Sequence, residues 1–201
     1  MGYGINDVSS LQELKKSFNL FKVVFKGRPI IDNPEYSFEK WEERMEKYSD
    51  LMLFASKEDE VIGLVFGRLM DSDNLTIALL AVDENYRRTG IAKKMIHALE
   101  ERAKKYHIKT ISLGSVESAE KFYVKMGYKG SLLVQSQVHS IDELFSLKTG
   151  HKVSFTNIYD GKVSQVCLEL DESDRKLQKK YESAFTGCYT QMLFRKIVNY
   201  D

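Results

Sequence analysis

The stretch LTIALLAVDENYRRTGIAKKMIHALEERAKKYH, Leu75 to His107, restricts the possible folds more than any other part of the chain. Leu75–Val82 is almost continuously apolar, which reads as a strand buried on both faces. From Ile91, apolar residues recur at Met95, Leu99 and Ala103, with Ala92 and Ile96 beside them, so 91–107 reads as an amphipathic helix. Its opposite face offers Glu100–Lys104 and Glu101–Lys105 pairs in the favourable orientation. A buried strand feeding directly into a helix that must cover a sheet points to a layered α/β architecture.

The junction VDENYRRTGIAKK has its own physics. The first four N–H groups of a helix lack internal partners, and the helix dipole places partial positive charge there. Gly90 lets the backbone bend so that these groups converge, and the small Ala92 permits close approach. Arg87, Arg88, Lys93 and Lys94 surround the opening with positive charge. Such a junction holds a phosphate or diphosphate, or else it is a plain basic turn. Neither GxGxxG nor GxxxxGK[ST] occurs, which disfavours a Rossmann dinucleotide site and a P-loop.

Elsewhere SSLQELKKSFNLF reads as a helix opened by a serine cap; after the loop GRPIIDNPEY, which holds both prolines, SFEKWEERMEKY has helical spacing at Phe38, Trp41 and Met45 but, with Lys40 three residues after Ser37, lacks a true capping box. LMLFAS and VIGLVFGRLM read as a hairpin across KEDE, and DSDN as a turn. After the long helix come a short strand TISLG, a helix SAEKFYVKMG stopped by Gly127, and a strand YKGSLLVQSQV. IDELFSLKTG reads as a helix ending at Gly150. KVSFTNIY and KVSQVCLEL flank the hairpin turn Asp160-Gly161, and a helix ESDRKLQKKYESAF and a strand CYTQMLFRKIV close the chain. Counted from the strand near Leu132, the order β-α-β-β-α-β suits a small ferredoxin-like module.

Thirty basic against twenty-nine acidic residues, a net charge of +1, leave no surplus for neutralising phosphates, so nucleic acid is not the expected partner. No apolar run reaches membrane-spanning length and MGYGINDVSS lacks a signal-peptide pattern, so no membrane association and a cytoplasmic location are expected. Cys167 and Cys188 read as reduced core thiols. The histidines His97, His107, His139 and His151 lie scattered without metal-ligand spacing, so no metal site is expected.

Arg87-Arg88-Thr89-Gly90-Ile91-Ala92 resembles the Q/R-x-x-G-x-G/A signature of the GNAT superfamily of acyl-CoA-dependent N-acetyltransferases. An apolar strand ending in Leu80-Ala81-Val82 precedes it, and FYVKMGY, Phe122 to Tyr128, resembles the family's FYxKxGF segment. The resemblance covers about residues 50 to 135. It implies a central mixed, twisted sheet flanked by helices: a GNAT-like domain over 1–138 with a small C-terminal α+β module over 139–201. It further implies that the backbone of Leu80 and Val82 pairs with the pantetheine arm of acetyl-CoA. The amides from Arg88 to Lys93 would hold the diphosphate, and Tyr123 would donate a proton to the departing thiolate. Where the family often carries an asparagine, this chain has Val116, leaving that contact to Ser115, Glu117 or Ser118.

The reaction so implied is direct attack of a primary amine on acetyl-CoA, with the amide N–H of Leu80 facing the oxyanion. The attacking amine must first lose a proton. Asp73, Asp83, Glu84 and Glu117 are candidate bases, each read more simply as solvated loop charge, and no carboxylate interrupts the strand. A non-catalytic acyl-CoA-binding or sensing protein, acting through its C-terminal module, is the alternative. The aromatics Phe18, Phe21, Phe25, Tyr36, Phe38 and Trp41 either line an acceptor pocket or pack as core, and core is the expectation. Three roles are open to the C-terminal module: covering the acceptor site, forming a homodimer, or binding something of its own.

Overall fold

The computed structural model describes residues 2–200 and divides them into two units. The first is formed by the chain up to Ile111 with the C-terminal residues from Ile197, the second by Ser112–Lys196.

In the first unit, β1 (Gly4–Asp7), β2 (Met52–Lys57), β3 (Glu60–Leu69) and β4 (Asn74–Val82) follow one another in sheet order, each antiparallel to the next. β1 was invisible to the sequence reading. GIND has poor strand propensity, and its pairing with β2, Gly4 opposite Ser56 through Asp7 opposite Leu53, holds it. α1 (Leu11–Val24) opens at a complete capping box, in which Ser10 Oγ accepts from the Glu13 amide and Glu13 Oε2 accepts from the Ser10 amide. Ser37 caps α2 (Phe38–Tyr48), and the proline-bearing loop between the two helices forms 3-10 turns at Pro29–Asp32 and Pro34–Tyr36. α3 (Ile91–Lys105) follows β4.

Two apolar layers cover this sheet. On one face Leu14, Leu20 and Phe21 of α1 and Trp41 of α2 pack with Phe54, Leu64, Phe66, Leu79 and Ala81. The expected core aromatics sit here: Trp41 lies 4.4 Å from Phe66, 5.0 Å from Phe18 and 5.1 Å from Phe21, centroid to centroid. On the other face α3 comes close enough that a Cβ on Gly63 would stand 2.9 Å from Met95 Sδ, and one on Gly67 3.1 Å from Leu99 Cδ1. Glycines on β3 thus seat Met95 and Leu99 of α3.

The expectation that β4 is buried on both faces needs correction: its residues alternate between buried and half-buried. The register explains why the sequence looks continuous. Phe66 faces Leu79 but Gly67 faces Ile77, so Ala78 is bulged out of the ladder. The bulge switches sides: Leu75 packs with Gly67 and Leu99 towards α3, whereas Leu79 and Ala81 belong to the α1–α2 layer. Along α3 the expected Glu101–Lys105 pair is replaced. Lys104 reaches Glu101 at 2.9 Å, and Lys105 turns instead to Asp50 at 3.7 Å, the carboxylate that also accepts from the Tyr106 hydroxyl.

The second unit holds β5 (Thr110–Ser115), α4 (Glu120–Lys125), β6 (Lys129–Ser136), α5 (Ile141–Phe145), β7 (Val153–Tyr159), β8 (Val163–Glu169), α6 (Arg175–Ala184) and β9 (Cys188–Ile197). Its strands lie in the order β5-β9-β6-β8-β7. The succession β-α-β-β-α-β from β6 onward is present, with β6 antiparallel to both β8 and β9. β9 is enclosed between β5 and β6, so the strands of this unit form one continuous series. Asp160 and Gly161 both adopt positive φ, 51° and 64°, the conformation of a two-residue hairpin turn. α5 stops at Phe145 rather than Gly150, because the Ser146 amide is shared between the Asp142 and Glu143 carbonyls and ends the helical ladder. Both cysteines are free thiols, Cys167 buried and Cys188 only half-buried, so the second is not core.

Candidate functional site

The turn from β4 into α3 is built from short-range hydrogen bonds that leave its outer surface open. The Asp83 amide donates to Ile62 O, tying the strand end to β3. Asp83 Oδ1 accepts from the Asn85 amide and starts a 3-10 turn over Glu84–Tyr86. Thr89 Oγ1 donates to Tyr86 O at 2.6 Å, closing the loop, and Arg87 Nε donates to Val82 O at 3.2 Å, holding its guanidinium beside the strand end. Arg88 is forced to φ 64° and Gly90 to φ 89°, the left-handed region that costs an ordinary L-residue about 1–2 kcal/mol. A Cβ on Gly90 would meet nothing within 4 Å, so glycine is required here by conformation and not by crowding.

α3 starts without a cap. Ser10, Ser37, Ser140 and Asp174 cap α1, α2, α5 and α6 with their side chains, whereas no side chain caps α3, the longest helix. Its first turn has no acidic residue and carries Lys93 and Lys94, both exposed. Cations at a helix N-terminus oppose the dipole. Together with Arg87 and Arg88 they leave uncapped amides and four cations around the exposed residues 87–90, an arrangement whose chemistry suits an anion. Lys94 Nζ stands 4.8 Å from the centre of the Tyr3 ring. Of the strand residues expected at the site, Leu80 and Val82 lie opposite Val65 and Gly63 on the α3 side of the sheet, half-buried, while Ala81 turns into the α1–α2 core.

Residues 30–140 match the family model described as the acetyltransferase (GNAT) domain. The chain belongs to the GNAT acetyltransferase family. Over an 85-residue stretch, 40% of its length, this GNAT chain is 33% identical to N-acetylaspartate synthetase of Xenopus tropicalis. That stretch spans only 31% of the Xenopus protein. Among solved structures it resembles Ard1 of Thermoplasma volcanium (TM-score 0.56, 13% identity, 85% of this chain and 99% of that one). A GNAT acetyltransferase of Staphylococcus aureus Mu50 superposes at TM-score 0.57 with 14% identity, over 98% of this chain and 100% of that one. PaiA N-acetyltransferase of Thermoplasma acidophilum, solved in complex with coenzyme A, superposes at TM-score 0.54 with 18% identity, over 85% and 100%. At these identities the structures establish the fold. No helix among the described residues is long and apolar enough to cross a membrane.

Tyr123 lies in the second unit, on α4. It is 6% exposed, with its ring 5.6 Å from Phe194, 5.2 Å from Phe122 and 6.0 Å from Tyr128. Burial pushes its hydroxyl up to about 12, so it stays protonated at any physiological pH and is chemically an acid. Its hydroxyl makes no hydrogen bond among the described residues and is not walled off from solvent.

Three of the four candidate bases have structural occupations. Asp73 pairs with Lys109 at 2.9 Å, Asp83 caps the 3-10 turn, Glu84 is exposed, and Glu117 pairs with Arg175 at 3.0 Å. Near Val116, Ser115 Oγ donates to Val116 O and Ser118 is exposed. Sequence reasoning overlooked two features. The Tyr36 hydroxyl donates to Ala78 O at 3.0 Å, pinning the bulge. Glu120, one turn before Tyr123, is buried; an acidic residue three positions before the tyrosine of an apolar stripe was the available signal.

Proposed function

We propose that this chain transfers the acetyl group of acetyl-CoA to a primary amine by direct attack. The observation that carries this reading is the uncapped, basic N-terminus of α3 entered through a left-handed Gly90, in a chain of the GNAT family. The amides from Arg88 to Lys93 take the diphosphate, with Arg87, Arg88, Lys93 and Lys94 supplying charge. Leu80 and Val82 offer backbone groups to the pantetheine arm. The neutral amine attacks the thioester carbonyl, and the Leu80 N–H faces the oxygen that becomes negative. When the C–S bond breaks, the thiolate takes the proton of Tyr123, which recovers one from solvent. The amine's own proton leaves to water.

Residues 1–138 are proposed as the CoA-binding domain and 139–201 as an α+β module of ferredoxin-like succession, serving the acceptor side or a second copy of the chain. The test is thiol release on mixing the full chain with acetyl-CoA and a panel of primary amines. Aspartate belongs in the panel, because the Xenopus relative is named for N-acetylaspartate. Amine-dependent thiol release with a matching acetylated product supports the reading. Tight CoA binding without turnover on any amine would replace it with a binding or sensing role.

A further inference from the structure

β7 (Val153–Tyr159) is the terminal strand of the second unit: β8 pairs with one of its edges, and among the described residues no strand pairs with the other. An open edge is a template for a further strand, and natural sheets guard such edges with charges, prolines or short length. The sequence VSFTNIY carries no charge and no proline, and every residue from Ser154 onward is exposed. Phe155 is 44% exposed, Ile158 49% and Tyr159 61%. β1, the edge strand of the first unit, is guarded by contrast: it has four residues, and its Asp7 carboxylate accepts from Arg102. The Tyr159 carbonyl accepts from the Lys162 amide inside the hairpin, so Tyr159 turns its backbone groups towards β8. Successive residues of an antiparallel strand alternate, so Asn157 and Phe155 also turn inward, while Thr156 and Ile158 present N–H and C=O to the open side. A bulge at Ser154 ends the regular edge there.

The free stretch Phe155–Tyr159 is complementary to itself, and Asn157 is its centre. A second copy related by a twofold axis through Asn157 sets Thr156 opposite Ile158 of that copy, twice over. The outward groups of these residues then form four backbone hydrogen bonds. In the same register Phe155 faces Tyr159 of the second copy, at positions where Cβ atoms stand about 4.5–5.5 Å apart. The exposed aromatic rings of each copy thereby cover one another. Between them Asn157 meets its own counterpart. Asn157 Nδ2 donates to Gln165 Oε1 at 3.1 Å, and Gln165 Nε2 donates to Gln135 Oε1 at 2.6 Å. The second amide hydrogen of Asn157 and its Oδ1 are left to pair with Asn157 of the second copy, which carries this amide row across the axis. Antiparallel pairing also brings the Lys152 end of one copy, where Lys152 pairs with Glu169 at 3.0 Å, to the Asp160 end of the other; parallel pairing would align like charges. We infer that β7 is a homodimerisation edge, along which two copies of this chain join antiparallel about Asn157. The pairing consumes the open edge of both copies, so assembly stops at the dimer. The inference stands on the second unit alone and does not depend on the acetyltransferase reading.

The test is sedimentation of the full chain over a concentration series. A reversible monomer–dimer equilibrium in the micromolar range, with no larger species, is expected, because one strand edge buries less than a standard interface. Thr156→Pro removes an outward N–H that β8 does not use, so it should weaken the dimer by about tenfold or more and leave the thermal midpoint near that of the parent. Phe155→Glu and Tyr159→Lys should each weaken it too. The double variant sets each new carboxylate opposite a new ammonium of the other copy and should recover the dimer. Cross-linking reads the register. Asn157→Cys should give a disulfide-linked dimer with oxidised glutathione, since the Cα atoms of a non-hydrogen-bonded pair lie about 4.5 Å apart. Ile158→Cys, whose counterpart across the axis is Thr156, should stay unlinked, as should the parent chain with its half-buried Cys188. A parent that is monomeric at hundreds of micromolar, open-ended aggregation in place of a dimer, or a dimer that Thr156→Pro leaves unchanged overturns the inference. Thiol release is measured separately, so failure here leaves the acetyltransferase reading standing, and failure of that reading leaves this edge.

Discussion

Gly90 separates backbone geometry from charge in one pair of substitutions. Asn and Asp are nearly the same size, both tolerate left-handed φ better than other residues, and a Cβ at this position meets nothing within 4 Å. Each should pay about 1 kcal/mol of conformational strain for φ 89°. They differ in charge, and the difference acts with opposite sign on two observables. At the uncapped start of α3, an aspartate faces the positive end of the dipole and should make Gly90→Asp about 0.3–1 kcal/mol more stable than Gly90→Asn. Against a bound diphosphate the same carboxylate is repelled. Two unit charges about 4 Å apart interact by about 1 kcal/mol in water and about 4 kcal/mol at an effective dielectric near 20. Residues 87–90 are exposed, so the lower part of that range applies. The Kd for CoA should therefore be at least about fivefold higher in the Asp variant than in the Asn variant. The gap should shrink at about 1 M salt, where the screening length falls to about 3 Å. Calorimetric titration with CoA and thermal unfolding of both variants supply the numbers. Equal CoA affinity for Asn and Asp would refute the placing of the diphosphate at this turn, whatever either variant does to activity.

Tyr123→Phe should keep CoA affinity and stability close to the parent chain, since the hydroxyl makes no hydrogen bond among the described residues. It should lower turnover by up to about 10²-fold, measured as thiol release; unchanged turnover removes the acid role. Burial pushes Tyr123 up to about 12, and burial followed by the Asp50 carboxylate pushes Tyr106 to the same value. Both pKa values are raised in the folded chain, so the stability they contribute is complete below pH 10 and is lost as pH rises from about 10 through about 12. Denaturant titrations across that window should show the decline, and an alkaline loss of activity below pH 9 must come from another group. Trp41→Ala, emptying a fully buried site among three aromatic rings, should cost about 3–5 kcal/mol by urea unfolding. Trp41→Phe should cost much less, because it also removes an indole N–H that is buried without a partner.

The β4–α3 unit was readable because two periodicities meet there without ambiguity: Ile91, Met95, Leu99 and Ala103 are all buried, as their spacing required. The hairpins were legible for a similar local reason, since Asp160-Gly161 and the polar KEDE leave little choice of turn. β1 was not, because Gly4–Asp7 has no strand preference of its own and exists through its partner β2. The bulge at Ala78 escaped because a side switch inside an apolar strand leaves the composition unchanged; Leu75 and Leu79 look alike in sequence and face opposite layers. The place of β9 between β5 and β6 is a long-range pairing, and no local pattern near Cys188 encodes it. At the site, the cationic residues and Gly90 could be named from sequence. What could not be read was that α3 lacks the side-chain cap given to α1, α2, α5 and α6, since a cap is a hydrogen bond and not a residue type.

Hydrogen exchange of the backbone amides with and without CoA tests the central claim most directly. The account predicts that CoA slows exchange at Gly90, Ile91, Ala92 and Lys93, while pantetheine, which lacks the diphosphate, leaves those amides as they are. If CoA binds and exchange from Gly90 to Lys93 is unaltered, the start of α3 is not where the diphosphate sits.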